Sequence, residues 1–147
     1  GEWLQKISET YREEALNNGL EWKCEIPDNL PVLNLDSGRL TLAVQNLISN
    51  AIRYTPRGGR VKLEAIYQDE QLLIEVKDSG PVIPEDEREK IFEPFTRGST
   101  ARRFSQGMGL GLTISREMVL AHGGKITVES TPSWGSIFTI LLPKSNS

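Results

Sequence analysis

The chain has one cysteine and one histidine in 147 residues. A lone Cys24 cannot close an internal disulfide, and a fold without bridges fits a reducing setting, so the expected location is the cytoplasm, with a parent protein that is free or membrane-anchored. No apolar run approaches the ~20 residues that span a bilayer and no signal-peptide pattern opens the chain, so membrane contact is not expected. Charge of one sign is lacking too. The 17 basic and 20 acidic residues are mixed along the chain, which leaves neither a basic patch for nucleic acid nor an acidic tail. No internal repeat is visible, and no Gly-Lys-Ser or Gly-Lys-Thr occurs, which excludes a Walker phosphate loop. What is present is 37% hydrophobic content, enough at this length for one continuous core, and a single soluble domain is expected.

Trp3, Leu4, Ile7, Tyr11, Ala15 and Leu16 recur at mostly three- and four-residue steps and stop at Asn17-Asn18-Gly19, which predicts an opening helix with a glycine stop. The alternation Leu20, Trp22, Cys24, Ile26 predicts a strand that buries Cys24. A second helix is expected from Asp36 or Ser37, both good N-caps, to Pro56. Strands over 60–67 and 71–77 flank the polar turn Gln68-Asp69-Glu70 as a hairpin, and Pro84 opens a short helical stretch with an acidic first turn. Between Arg97 and Gln106 the chain is polar with little to bury, which predicts a mobile loop. A helix from Gly111 to His122 and strands over 125–130 and 136–142 close the sequence, with Trp134-Gly135 turning the last hairpin. Strands in adjacent pairs among helices predict an α+β fold, a two-layer sandwich of a mixed or antiparallel sheet with helices on one face.

Three segments carry chemistry. Leu40, Ala43, Val44, Leu47, Ile48 and Ala51 make the apolar stripe of the second helix, while Asn46, Asn50 and Arg53 share a face turned away from it. Asparagine is a poor helix former, so two amides one turn apart suggest a ligand, although an ordinary solvated face is the plainer alternative. Carbonyl oxygens there suit a hydrated Mg²⁺ that bridges phosphates, with Arg53 adding positive charge. In the second segment a strand ends at Asp78 and turns through Ser79-Gly80-Pro81. Asp78 either caps its own backbone or accepts a hydrogen bond from an exocyclic amine such as that of adenine, with Gly80 letting the ring approach. The third, Gly107-Met108-Gly109-Leu110-Gly111-Leu112, sets glycines at alternate positions before a helix, where backbone N–H groups suit phosphate. A polar loop rather than a strand precedes it, which rules out a dinucleotide fingerprint.

In this order the segments resemble the N, G1 and G2 boxes of the ATP-binding catalytic domain of two-component sensor histidine kinases, within the GHKL superfamily. Asn46 to Thr55 resembles the N box, Asp78-Ser79-Gly80 the start of G1, and Gly107 to Leu112 the G2 box. Ile91-Phe92-Glu93-Pro94-Phe95-Thr96-Arg97-Gly98 resembles the F box, and His122-Gly123-Gly124 through Leu142-Pro143 follows the family pattern to the chain end. The resemblance implies a Bergerat-type ATP fold of about five strands and three helices, with ATP and Mg²⁺ as cofactors. It implies that Asn50 binds Mg²⁺, Asn46 and Arg53 attend the phosphates, Tyr54 lies near the nucleotide and Asp78 recognises the adenine amine beside Gly80 and Ile83. Arg97 at the start of a lid would reach the γ-phosphate, Phe92 and Phe95 would anchor the lid, and Gly107, Met108, Gly109, Leu110, Gly111 and Leu112 would meet the phosphates. Catalytic roles fall to Asn50, Arg53 and Arg97. The implied partners are a dimerisation domain of the same parent, which supplies the histidine, and a response regulator downstream. Residues 1–19 are expected to continue a helix from that domain, and 20–147 to form the catalytic domain.

Two positions decide between functions. ATPases of this fold place a glutamate one helical turn before the metal-binding asparagine; here that position is Asn46, whose amide cannot take a proton from water, so transfer is favoured over hydrolysis. The family's second G1 glycine is replaced by Val82, which resists positive φ, so the loop either keeps an ordinary backbone or shifts, and weaker nucleotide binding is expected. A GHKL-type ATPase and a nucleotide-dependent interaction module are the alternatives. His122 stands at a helix end, where capping or packing suits it better than accepting phosphate, and no autophosphorylation is expected.

Overall fold

The computed structural model describes residues 2–28, 30, 31, 36–93 and 111–143. Their order is α1 (Glu2–Asn17), β1 (Glu21–Glu25), α2 (Ser37–Tyr54), β2 (Arg60–Gln68), β3 (Gln71–Asp78), 3₁₀ turns at Glu85–Glu87 and Lys90–Phe92, α3 (Gly111–Ala121), β4 (Lys125–Glu129) and β5 (Ser136–Pro143). The five strands form one sheet in the order β1-β2-β3-β5-β4, parallel only between β1 and β2. The sheet is therefore mixed, which settles the choice between mixed and antiparallel that the paired strands left open.

Alternation separates the two faces. Val61, Leu63 and Ala65 of β2, Leu72, Ile74 and Val76 of β3, and Phe138, Ile140 and Leu142 of β5 are buried in one core with Leu40, Ala43, Val44, Leu47 and Ile48 of α2. The opposite face carries Lys62, Glu64, Glu75 and Lys77. Lys62 stands directly across from Lys77 and Glu64 from Glu75, and the like charges are relieved by contacts of Lys77 with Glu64 (3.2 Å) and of Lys62 with Glu25 (3.3 Å) and Glu64 (3.7 Å). The β2–β3 hairpin turns on Asp69 and Glu70, both at positive φ, as a two-residue turn with the twist of its strands requires.

Helix ends follow their capping residues. Asp36 accepts the Arg39 N–H and caps α2, which resolves the choice between Asp36 and Ser37. At the end of α1, Gly19 at φ 75° lets its own N–H reach the Leu16 carbonyl and the Leu20 N–H reach that of Ala15. Gly123 repeats the arrangement after α3, leaving His122 as the C-cap. Leu4, Ile7 and Ala15 of α1 lie in the same core as α2, whereas Leu16 is largely exposed. Cys24 is half-buried rather than buried, because β1 is an edge strand with a neighbour on one side only. No helix among the described residues is long and apolar enough to cross a membrane.

Candidate nucleotide-binding site

The site is built where the C-terminal end of α2 meets the end of β3. Because β3 alternates with period two, Asp78 falls on the core side of the sheet and is only 2% exposed. Its Oδ1 accepts the Gly80 N–H at 2.9 Å, while Oδ2 is buried with no hydrogen-bond partner among the described residues. Burial pushes the carboxyl up to about 7, against the lowering effect of the Gly80 N–H. Of the two sequence alternatives for Asp78, the structure shows the first, with Oδ1 capping the turn, while Oδ2 has no donor among the described residues. An unpartnered buried acceptor is costly, and an exocyclic amine is the kind of group that satisfies it.

Gly80 is packed against the end of α2. A Cβ added to it would meet Asp78 Oδ1 at 2.9 Å and the Tyr54 carbonyl oxygen at 3.2 Å. On α2 itself, Asn46, Asn50 and Tyr54 are half-buried, Arg53 is exposed, and the buried stripe runs through Leu40, Ala43, Val44, Leu47, Ile48, Ala51 and Ile52. The amide and guanidinium face predicted for the helix is thus placed on the side away from the core. Asn50 offers a neutral carbonyl oxygen. Among the described residues no cluster of three or more His, Cys, Asp or Glu could hold a metal, so a cation here would draw its remaining ligands from phosphate and water, as Mg²⁺ commonly does.

Ile83 and Leu112, expected at the nucleotide, are closed into the core at 0% and 1% exposure and present no side-chain surface to a ligand. Gly111 opens α3. Phe92 packs edge-on to Phe138 with ring centroids 6.1 Å apart, a core contact. Phe95, Arg97, Gly107, Met108, Gly109 and Leu110, together with the loop expected over 97–106, lie outside the described residues. Val82 does not take positive φ and its side chain is 60% exposed, so the loop keeps an ordinary backbone and the substitution for glycine stores no strain. Sequence reasoning missed Ser136. It pairs with Asp78 across β3 and β5, is fully buried and donates to the Pro81 carbonyl at 3.3 Å, a position that only strand register reveals.

A mixed five-stranded sheet with helices on one face and an acceptor-bearing strand end beside an amide-bearing helix defines a nucleotide-binding domain of the Bergerat class. Residues 35–146 match the family model described as histidine kinase-, DNA gyrase B-, and HSP90-like ATPase. The chain is 40% identical over 119 residues to the alginate biosynthesis sensor protein KinB of Pseudomonas aeruginosa, covering 81% of this chain and 20% of KinB. Among solved structures, the catalytic domain of histidine kinase ThkA aligns with a TM-score of 0.83 at 32% identity, covering 97% of this chain and 91% of that one. Full-length ShkA in complex with AMPPNP aligns at a TM-score of 0.84 and 29% identity, covering 99% of this chain and 30% of ShkA. The chain belongs to this family and is a histidine kinase ATP-binding catalytic domain, spanning about a fifth of the length of the KinB that it matches.

Proposed function

We propose that the chain binds Mg-ATP and donates its γ-phosphoryl group to a histidine on a separate dimerisation domain, from which a response regulator is then served. The reading is carried by the unpartnered oxygen of Asp78, a buried acceptor beside a glycine at the end of β3 and against the end of the helix that bears Asn46, Asn50 and Arg53. Asp78 takes the adenine amine, and the α2 face takes the phosphates. Asn50 would hold Mg²⁺, which when bound neutralises phosphate charge, and the exposed Arg53 adds a second cationic contact. The resemblance assigns the γ-phosphate to Arg97 and the triphosphate to the glycines from 107 to 111, of which all but Gly111 lie outside the described residues. Asn46, in place of a glutamate, leaves no side chain at that position to take a proton from water, so the phosphoryl group goes to the partner rather than to solvent. Catalysis rests on positioning and charge neutralisation, with the acid-base group supplied by the partner.

The test mixes the chain with γ-labelled ATP and a panel of histidine-bearing dimerisation domains. Phosphohistidine on a partner domain is the expected outcome, and Asn50→Ala abolishes it together with Mg²⁺-dependent binding. Phosphate release without transfer would instead support an ATPase, and binding with neither would support a nucleotide-dependent interaction module.

A further inference from the structure

The loop between β4 and β5 contributes no residue to the nucleotide reading, yet it is built tightly against the Asp78 turn. Gly135 is buried, and a Cβ added there would run into the carbonyl group of Gly80, so the backbones of the two loops are in direct contact. Gly80 therefore packs against both the end of α2, at Tyr54 and Thr55, and the backbone of Gly135. The β4–β5 loop closes on itself: Thr131 and Trp134 exchange backbone hydrogen bonds at 2.9 and 3.2 Å, and the Ser130 hydroxyl donates to the Gly135 carbonyl at 2.7 Å.

Arg60 joins the two loops. Its backbone N–H donates to the Ser79 hydroxyl at 2.9 Å and its carbonyl accepts the Ser79 N–H at 3.1 Å, which fixes the residue next to Asp78. Its guanidinium lies over the Trp134 ring, 4.2 Å from the centroid, and donates to the Ser133 carbonyl at 2.7 Å. One residue therefore grips the Asp78 turn with its main chain and the β4–β5 loop with its side chain. Trp134 is only partly buried and is absent from the core cluster, and the Arg60 guanidinium covers one face of its ring.

We infer that Arg60 and Trp134 are positioning residues for base recognition: their stack presses the β4–β5 loop onto Gly80 and so sets where the free oxygen of Asp78 meets the base. The inference rests on the adenine reading of Asp78, and the experiment separates the two. The measured quantity is the ratio of the affinities for ATP and for inosine triphosphate, which has a 6-oxo group where ATP has the 6-amino donor. A general loss of folding or of phosphate binding lowers both affinities and leaves the ratio alone.

In the unaltered chain a charge-assisted bond from the amine makes ATP the tighter ligand, by on the order of tenfold. Asp78→Asn collapses the ratio; a ratio unmoved by that variant would overturn the adenine reading and this inference with it. With Asp78→Asn behaving as expected, Trp134→Ala and Arg60→Ala each narrow the ratio by about threefold or more, and Trp134→Phe, which keeps a ring for the guanidinium, restores most of it. A ratio unchanged in Trp134→Ala and Arg60→Ala would overturn the inference while leaving Asp78 its role. Failure of Trp134→Phe to rescue would count against the stack and for bulk alone.

Discussion

At the scale of single residues, Asp78 carries a pH dependence whose sign can be worked out. Its carboxyl is raised from 3.8 to about 7 by burial, so the folded chain binds a proton more readily than the unfolded chain. The stability that this contributes is fully present below 3.8, and it is lost as pH rises through about 7, with a slope of at most about 1.4 kcal/mol per pH unit. Urea unfolding at pH 5, 6 and 8 should show the ligand-free chain weakening over this range relative to Asp78→Asn, which removes the charge with little change of shape. A slope identical in the two proteins would assign the pH dependence elsewhere. An amine donor favours the ionised carboxylate, so nucleotide binding expels a proton and affinity should fall from pH 8 to pH 6. Calorimetry in buffers of different ionisation heat reads the released proton directly. Tighter binding at pH 6 would mean that the neutral acid is the recognising form.

At the scale of elements, α1 is the segment that the resemblance implied would continue a helix from the dimerisation domain. Leu4 and Ala15 are fully buried and Ile7 nearly so, in the core that α2 and the sheet share, and Trp22 Nε1 donates to the buried Ser8 hydroxyl at 3.2 Å. Leu4→Ala should therefore cost about 2–5 kcal/mol of unfolding free energy, whereas the exposed Glu9→Ala should cost less than about 0.5. Equal and small effects in denaturant titration would show that α1 is an appendage. The helices and strands themselves were legible, since period and capping residues mark them locally: Gly19 and Gly123 at the ends of α1 and α3, Asp36 at the start of α2, Asp69-Glu70 in the hairpin. Asp78 was legible for the same reason, as an acid where an alternating strand stops. Ser136, Arg60 and Trp134 were not. The contact of Ser136 with the Asp78 turn and that of Trp134 with Arg60 depend on β5 lying beside β3, a pairing between segments 58 residues apart at Asp78 and Ser136 that no local pattern encodes, whereas the bonds of Arg60 to Ser79 only extend the β2–β3 hairpin. Burial of Ile83 escaped for a like reason: it sits in a short loop whose polarity pattern has no period.

At the scale of the whole molecule, the relative placement of phosphate site and histidine decides whether the chain can phosphorylate itself. The residues expected to meet the phosphates lead into Gly111, the first residue of α3, and His122 is the residue after its last. Eleven residues at ~1.5 Å each put about 16 Å of rigid helix between the two ends, far beyond the reach of an in-line transfer. The imidazole is also occupied. Its Nε2 accepts the Asp36 N–H at 3.2 Å, which leaves the ring proton on Nδ1 to donate to the Met118 carbonyl at 2.8 Å, so Nδ1 holds the ring to its own helix and Nε2 ties the end of α3 to the cap of α2. Phosphorylation of either nitrogen would break one of these contacts. Incubated alone with γ-labelled ATP and Mg²⁺, the chain should bind nucleotide and yield no acid-labile, base-stable label, and His122→Gln should bind nucleotide as the parent chain does. Label on the isolated chain that disappears in His122→Gln would overturn the argument, because the sole histidine would then have left its place between the two helices to meet the phosphate.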